Sequence, residues 1–245
     1  MSHPEQTAFI ELVARTNAEK VRGAKILEVG SYDVYGTFRS FFSQAGEYVG
    51  IDLSAGPGVD MVLSSHDLVG QLSGFDVVVS GEALEHDTDW RLSVRNMVEV
   101  LKPGGIVIIT CAGTGRPEHG TTRTNPDESP GTQSLGWDHY ENVSAGDFRA
   151  VVDAISGIDY LVWENPRVFD LYAVIVKSEQ ASGWELPTDG PKTLNGLALE
   201  QLESIPDANV SFAVEGYRFE TEEINGTMIK KVAALSLRPK KEPDT

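Results

Sequence analysis

The sequence predicts an α/β chain: a doubly wound, mainly parallel seven-stranded sheet of Rossmann-like type, with a long loop after the fifth strand and a small C-terminal β-hairpin. Three observations predict it. Short apolar runs alternate with amphipathic stretches from Lys25 to Lys177, and alternating strands and helices form βαβ units with right-handed crossovers. The run Phe75-Asp76-Val77-Val78-Val79-Ser80 is almost continuously apolar, as a strand buried on both faces requires. The first two strands end in Gly30 and Asp52, at the edge where doubly wound sheets bind ligands.

Pro4 to Lys20 places Phe9, Ile10, Leu12 and Val13 among polar residues, an amphipathic helix that leads into the domain. Lys25-Ile26-Leu27-Glu28-Val29-Gly30 is the first strand, and Thr37 to Ala45 the helix after it. Tyr48 to Asp52 and Val59 to Leu63 are the second and third strands, and Phe75 to Ser80 the fourth. Asp89 to Leu101 is a helix with Leu92, Val94, Met97, Val98 and Leu101 for its buried side, ended by Lys102-Pro103-Gly104-Gly105. Ile106 to Thr110 is the fifth strand. Ala145 to Ile155 is a helix capped by Ser144, and Tyr160–Trp163 and Phe169–Val176 are two closing strands.

Two stretches break this rhythm. Residues 112–142 are rich in Gly, Thr, Pro and charge without periodicity, and a loop of about 30 residues in a compact domain is functional or disordered. It is expected to act as a lid. Beyond Lys177, Leu194 to Leu202 suggests a short helix, and Val210–Thr221 and Thr227–Leu237 two strands around Asn225-Gly226. The alternation slips across Gly216, the signature of a bulge. The expected division is 1–180 and 181–245.

Composition bounds the function. With 40% hydrophobic and 23% charged residues the mixture is that of a globular chain. No apolar run approaches the roughly 20 residues of a membrane helix, and no secretory signal is expected at the N-terminus. The single Cys111 forms no internal disulfide, which fits a reducing compartment, so a cytoplasmic protein with no membrane partner is expected. A net charge of −17 repels phosphate backbones, and without a Lys/Arg cluster no nucleic-acid partner is expected.

Glycines at the end of the first strand let a backbone approach a ligand closely, but Gly30 and Gly36 do not form the G-x-G-x-x-G dinucleotide pattern. Asp52 offers two oxygens to the hydroxyls of a ribose, or else caps a turn. Four ordered motifs then carry a resemblance: Leu27-Glu28-Val29-Gly30; Ile51-Asp52; Phe75 to Ser80 leading into Glu82-Ala83-Leu84-Glu85-His86; and Leu101-Lys102-Pro103-Gly104-Gly105-Ile106. Over roughly residues 20–177 the set resembles class I S-adenosylmethionine-dependent methyltransferases, the branch often called type 11. The sequence departs from that branch in its glycine loop, where Ser31-Tyr32-Asp33-Val34-Tyr35-Gly36 replaces E-x-G-x-G-x-G spacing.

The resemblance implies S-adenosyl-L-methionine as cofactor. It assigns Glu28, Gly30, Ser31, Tyr32 and Gly36 to the loop at the amino-acid end, Asp52 to the ribose and Leu53 to the adenine face. His66, Asp67 and Leu68 fall to the adenine edge, and Ser80 and Gly81 to the floor beside the reactive methyl. The pair Glu85-His86 caps and packs a helix or takes part in catalysis. Methyl transfer is an in-line displacement, in which the protein mainly aligns and desolvates the acceptor. A hydroxyl acceptor also calls for a base, and His119 and His139 in the long loop are the candidates. Without H-e-x-x-H spacing no metal is expected. The expected function is O-methylation of a small molecule or glycan. The alternatives are a non-catalytic cofactor-binding partner module, with the hairpin as a homodimer edge, and an NAD-dependent oxidoreductase.

Overall fold

A computed structural model describes residues 4–178 and three strands at 211–214, 217–225 and 228–236. The chain divides into two compact units, Met1–Glu179 and Gln180–Thr245. The first is built on a seven-stranded sheet of order β3-β2-β1-β4-β5-β7-β6. Its strands are β1 (Lys25–Val29), β2 (Glu47–Asp52), β3 (Met61–Val62), β4 (Phe75–Gly81), β5 (Leu101–Ala112), β6 (Ile158–Asn165) and β7 (Asp170–Lys177). The first five are parallel, and β7 lies antiparallel between β5 and β6. Chain order reverses between β1 and β4, so the β1 and β4 carboxyl ends open a crevice for a ligand.

The two sheet faces are covered differently. On one side α1 (Pro4–Thr16) and α2 (Ala18–Val21) pack Ile10, Val13 and Val21 with Phe38 and Phe42 onto Ile26, Val77, Val79, Ile106 and Ile108. On the other, α3 (Trp90–Glu99) and α5 (Ala145–Val152) bury Trp90, Val94, Met97 and Phe148 against Leu27, Val78, Val107 and Ile109. The alternation along β4 thus feeds both cores, which is why its sequence is apolar at nearly every position. The rings of Trp90 and Phe148 stack at 5.9 Å between α3 and α5. Asp89 caps α3 by accepting from Leu92 N, and Ser144 caps α5 by accepting from Asp147 N.

Three expectations change. Thr37 to Ala45 is not an α-helix: only Phe38–Phe42 turn, as a 3₁₀ helix, because Thr37 bonds the amide of Arg39 and the chain descends at once into β2. The third strand shrinks to two exposed residues at the sheet edge. Lys102-Pro103-Gly104-Gly105 lies inside β5 as an irregularity, the pairing jumping from Phe75↔Leu101 to Val77↔Ile106, while α3 has already ended at Glu99.

In the second unit β8 (Ser211–Val214), β9 (Tyr217–Asn225) and β10 (Met228–Ser236) form an antiparallel sheet of order β10-β9-β8. The bulged strand expected from Val210 to Thr221 is instead two strands, since Val214 pairs with Tyr217 and the chain reverses between them. The real register shifts fall in β10, beside Lys231. The helix expected at Leu194–Leu202 lies outside the described residues.

Candidate active site

The crevice beyond β1, β2 and β4 is a cleft. Gly30 and Tyr32 after β1, Asp52 and Leu53 at the end of β2, and Gly81 at the end of β4 all line it, as does Gly36. Gly30 is there for two reasons. Its φ of +79° is left-handed, and a Cβ would stand 2.8 Å from that of Ala83. Asp52 accepts from the backbone amides of Tyr32 (Oδ2, 3.1 Å) and Leu53 (Oδ1, 2.7 Å), which fixes its carboxylate at the cleft wall. Burial raises its pKa, and these amides hold it down. Each oxygen keeps lone-pair capacity for a diol, and Val29, Ile51, Leu63 and Leu84 give the cleft apolar walls beside it. These residues fit an adenosyl group.

The other residues named from the sequence stand behind this lining. Glu28 is buried, its Oε2 accepting from Tyr48 Oη at 2.7 Å, and burial pushes its pKa up to about 7. Ser31 is buried against Gly50, and Ser80 donates to the Val29 carbonyl at 3.0 Å. Leu68 is in the core, and Asp67 is in the 3₁₀ turn Ser65–Asp67 outside the lining. His66 bonds Asp87 Oδ1 at 2.6 Å and stacks on Trp137 at 5.8 Å. Ser65, Asp87 and Trp137 line the cleft in its place, and sequence reasoning missed Ser65 and Asp87.

The stretch 112–142 is ordered by its own bonds. Thr122 Oγ1 and Arg123 Nη1 bond Asp138, and Asn142 Nδ2 donates to the Arg116 carbonyl. Within it α4 (Pro130–Ser134) is a short helix, and Glu128 to Thr132 with Trp137 close over the cleft. A Cβ at Gly131 would lie 2.1 Å from Asp52 Oδ1, so the loop backbone rests directly on that carboxylate. A ribose on Asp52 requires this segment to lift.

At the β4 end, a cluster of ionisable side chains gathers. Glu82 has φ +54°, a strained conformation for a residue with a side chain, which turns its carboxylate inward to Gln6 and Arg116. Arg116 also pairs with buried Asp170. Glu85 is fully buried, and His119 Nε2 lies 3.4 Å from Glu82 Oε2 and 3.6 Å from Glu85 Oε1. The His119 ring meets the edges of His86 (5.0 Å) and Tyr140 (5.2 Å). Burial and the neighbouring Glu82 raise Glu85 above the usual carboxylate range, whereas burial lowers His86 to about 4. His86 and Glu82 line the cleft, with Glu85 and His119 behind them. His139 does not join: its Nε2 faces Glu141 at 3.8 Å, and only its backbone reaches His86.

The sheet order and this cleft make the first unit a doubly wound α/β domain with its ligand crevice at the carboxyl ends of β1 and β4. Residues 27–109 match the family model of a methyltransferase domain. Among solved structures, the chain is similar to the CurJ carbon methyltransferase (16% identity, TM-score 0.51, 70% of this chain and 54% of that one). It is also similar to the YcgJ protein of Bacillus subtilis (14%, TM-score 0.51, 72% and 100%). A third is the 1,6-didemethyltoxoflavin-N1-methyltransferase of Burkholderia thailandensis, solved with S-adenosylhomocysteine (15%, TM-score 0.50, 71% and 78%). At these identities the likeness is one of fold.

The C-terminal part matches something else. Residues 175–237 fit the model of a transporter associated domain. The UPF0053 inner membrane protein YfjD of Escherichia coli is 32% identical over 75 residues, 31% of this chain and 18% of that one. A UPF0053 protein of Haemophilus influenzae is 39% identical over 54 residues, 22% and 13%. The chain therefore spans less than a fifth of these curated relatives. Among the described residues no helix is long and apolar enough to cross a membrane. The appendage read as an added hairpin falls within a separate family-model match, one invisible in strand periodicity alone.

Proposed function

We propose that the chain is an S-adenosylmethionine-dependent methyltransferase whose acceptor is a small molecule or glycan, methylated on oxygen. The observation that carries this is Asp52, a carboxylate held by two backbone amides in a cleft beyond β1, β2 and β4, within a segment that matches a methyltransferase domain. Bound S-adenosylmethionine supplies an activated methyl on a sulfonium, so the protein's task is positioning. Asp52 holds the ribose, Leu53 packs the adenine, and Gly30 admits the amino-acid end where a side chain would collide with Ala83. The segment 128–137 acts as the lid, shutting water out over the cofactor. The acceptor enters at the Glu82–His86 end, and the cluster containing His119 receives the hydroxyl proton. His139 is left on the lid's own contacts.

A cytoplasmic setting and a homodimer formed along the second unit's strands belong to this reading. The match to a transporter associated domain favours a second role for that unit as a partner-binding module attached to the enzyme. The test is transfer of labelled methyl from S-adenosylmethionine to a panel of phenols, sugars and amines. Transfer to hydroxyls that is lost in His119→Ala supports the reading. Transfer to amines alone overturns O-methylation, and cofactor binding without transfer to any acceptor favours the partner module.

A further inference from the structure

Two buried polar atoms at the β4 end have no hydrogen-bond partner, Glu85 Oε2 and His86 Nδ1, and beside them His119 Nε2 meets the carboxylates of Glu82 and Glu85 at 3.4 and 3.6 Å. An unsatisfied buried polar group costs about 1–3 kcal/mol. Such groups gathered in one place call for a bound partner. One donor atom from each of these residues lies within 4.8 Å of the others. Glu85 is fully buried and His86 almost so, and they face His119 from the 3₁₀ turn Leu84–His86 after β4. Among the described residues, Glu82, Glu85 and Asp170 bring three buried carboxylates to the cluster, and Arg116, bound to Glu82 and Asp170, is its one guanidinium.

We propose that Glu85, His86 and His119 bind one divalent transition-metal ion at the acceptor end of the cleft. Two imidazoles and one carboxylate are the donor set of zinc and of related first-row ions, whereas magnesium prefers oxygen ligands throughout. Tetrahedral zinc with ligands about 2.1 Å away needs donors about 3.4 Å apart. The trio, within 4.8 Å of one another, therefore closes by up to about 1.4 Å on binding. Glu82, anchored by Arg116, lies beside the ion as a second negative charge. Three protein ligands leave a position open, and His86 is shared with the cleft wall, so the ion stands where an acceptor oxygen would be held and acidified. That role, though not the binding itself, rests on the proposed methyl transfer.

The experiment is calorimetric titration of EDTA-treated full-length protein with zinc, manganese and magnesium chlorides, without S-adenosylmethionine. One equivalent of zinc or manganese should bind, more tightly than magnesium, and both Glu85→Gln and His119→Ala should weaken it at least tenfold. Circular dichroism checks that each variant is folded, and if Glu85→Gln unfolds, His119→Ala on the loop decides. Absence of saturable binding, binding unchanged in a folded variant, or a preference for magnesium would overturn the site. Since cofactor is omitted, failure here leaves the methyltransferase reading standing, and the converse also holds.

Discussion

Glu28 couples the stability of the first unit to pH. It is 3% exposed, and its carboxylate accepts a hydrogen bond from Tyr48 Oη at 2.7 Å behind the cleft. Burial raises its pKa from 4.5 to about 7, against the opposing hydrogen bond of Tyr48. The sign follows from linkage: the folded state binds this proton more tightly than the unfolded chain. The stabilisation is therefore complete below pH 4.5 and disappears as pH rises towards and through 7. At about 1.4 kcal/mol per pH unit, that interval is worth about 3 kcal/mol. Urea unfolding of the wild type and of Glu28→Gln at a series of pH values between 4.5 and 8 measures it. The wild type should lose about 3 kcal/mol relative to the variant across this range, most of it by pH 7. Parallel stability curves for the two proteins would refute the argument, and so would a wild type that gains on Glu28→Gln as pH rises.

Two further substitutions probe the same edge of the sheet. Arg116→Met removes the guanidinium that pairs with buried Glu82 and Asp170 and should cost about 3–5 kcal/mol in urea unfolding at pH 7, the scale for breaking a buried ion pair. Gly30→Ala forces a side chain into a left-handed backbone 2.8 Å from Ala83 Cβ, and should lower stability by about 1–3 kcal/mol, read as a fall in melting temperature.

The sheet was legible because its strands are short apolar runs that end in Gly30, Asp52 and Gly81, and both faces of β4 are buried. What misled was chemistry that two structures share. Phe38, Phe42 and Ala45 have the spacing of an α-helix face, yet the same residues pack from a 3₁₀ turn that Thr37 starts. A slip in alternation at Gly216 marks a bulge or a reversal equally well, and the pairing of Val214 with Tyr217 makes it a reversal. At the site, Gly30 and Asp52 sit at strand ends and were readable from local pattern, and Gly81 came from the resemblance. Asp87 was not readable, because a hydrogen bond from His66, distant in sequence, holds it at the cleft. The Glu85, His86 and His119 cluster gave no spacing signal, since the loop returns His119 to the β4 end only through tertiary contacts. Nor does any local pattern show that Gly131 rests on Asp52.

The most direct test of the central claim is calorimetric titration of the purified chain with S-adenosylmethionine, repeated on Asp52→Ala, with NAD as control. Micromolar binding, weakened in the variant by about 1–3 kcal/mol as expected for loss of a charged hydrogen-bond acceptor, with no response to NAD, is the predicted result. Binding of NAD in place of S-adenosylmethionine, or S-adenosylmethionine binding that Asp52→Ala leaves unchanged, would contradict the assignment of this cleft.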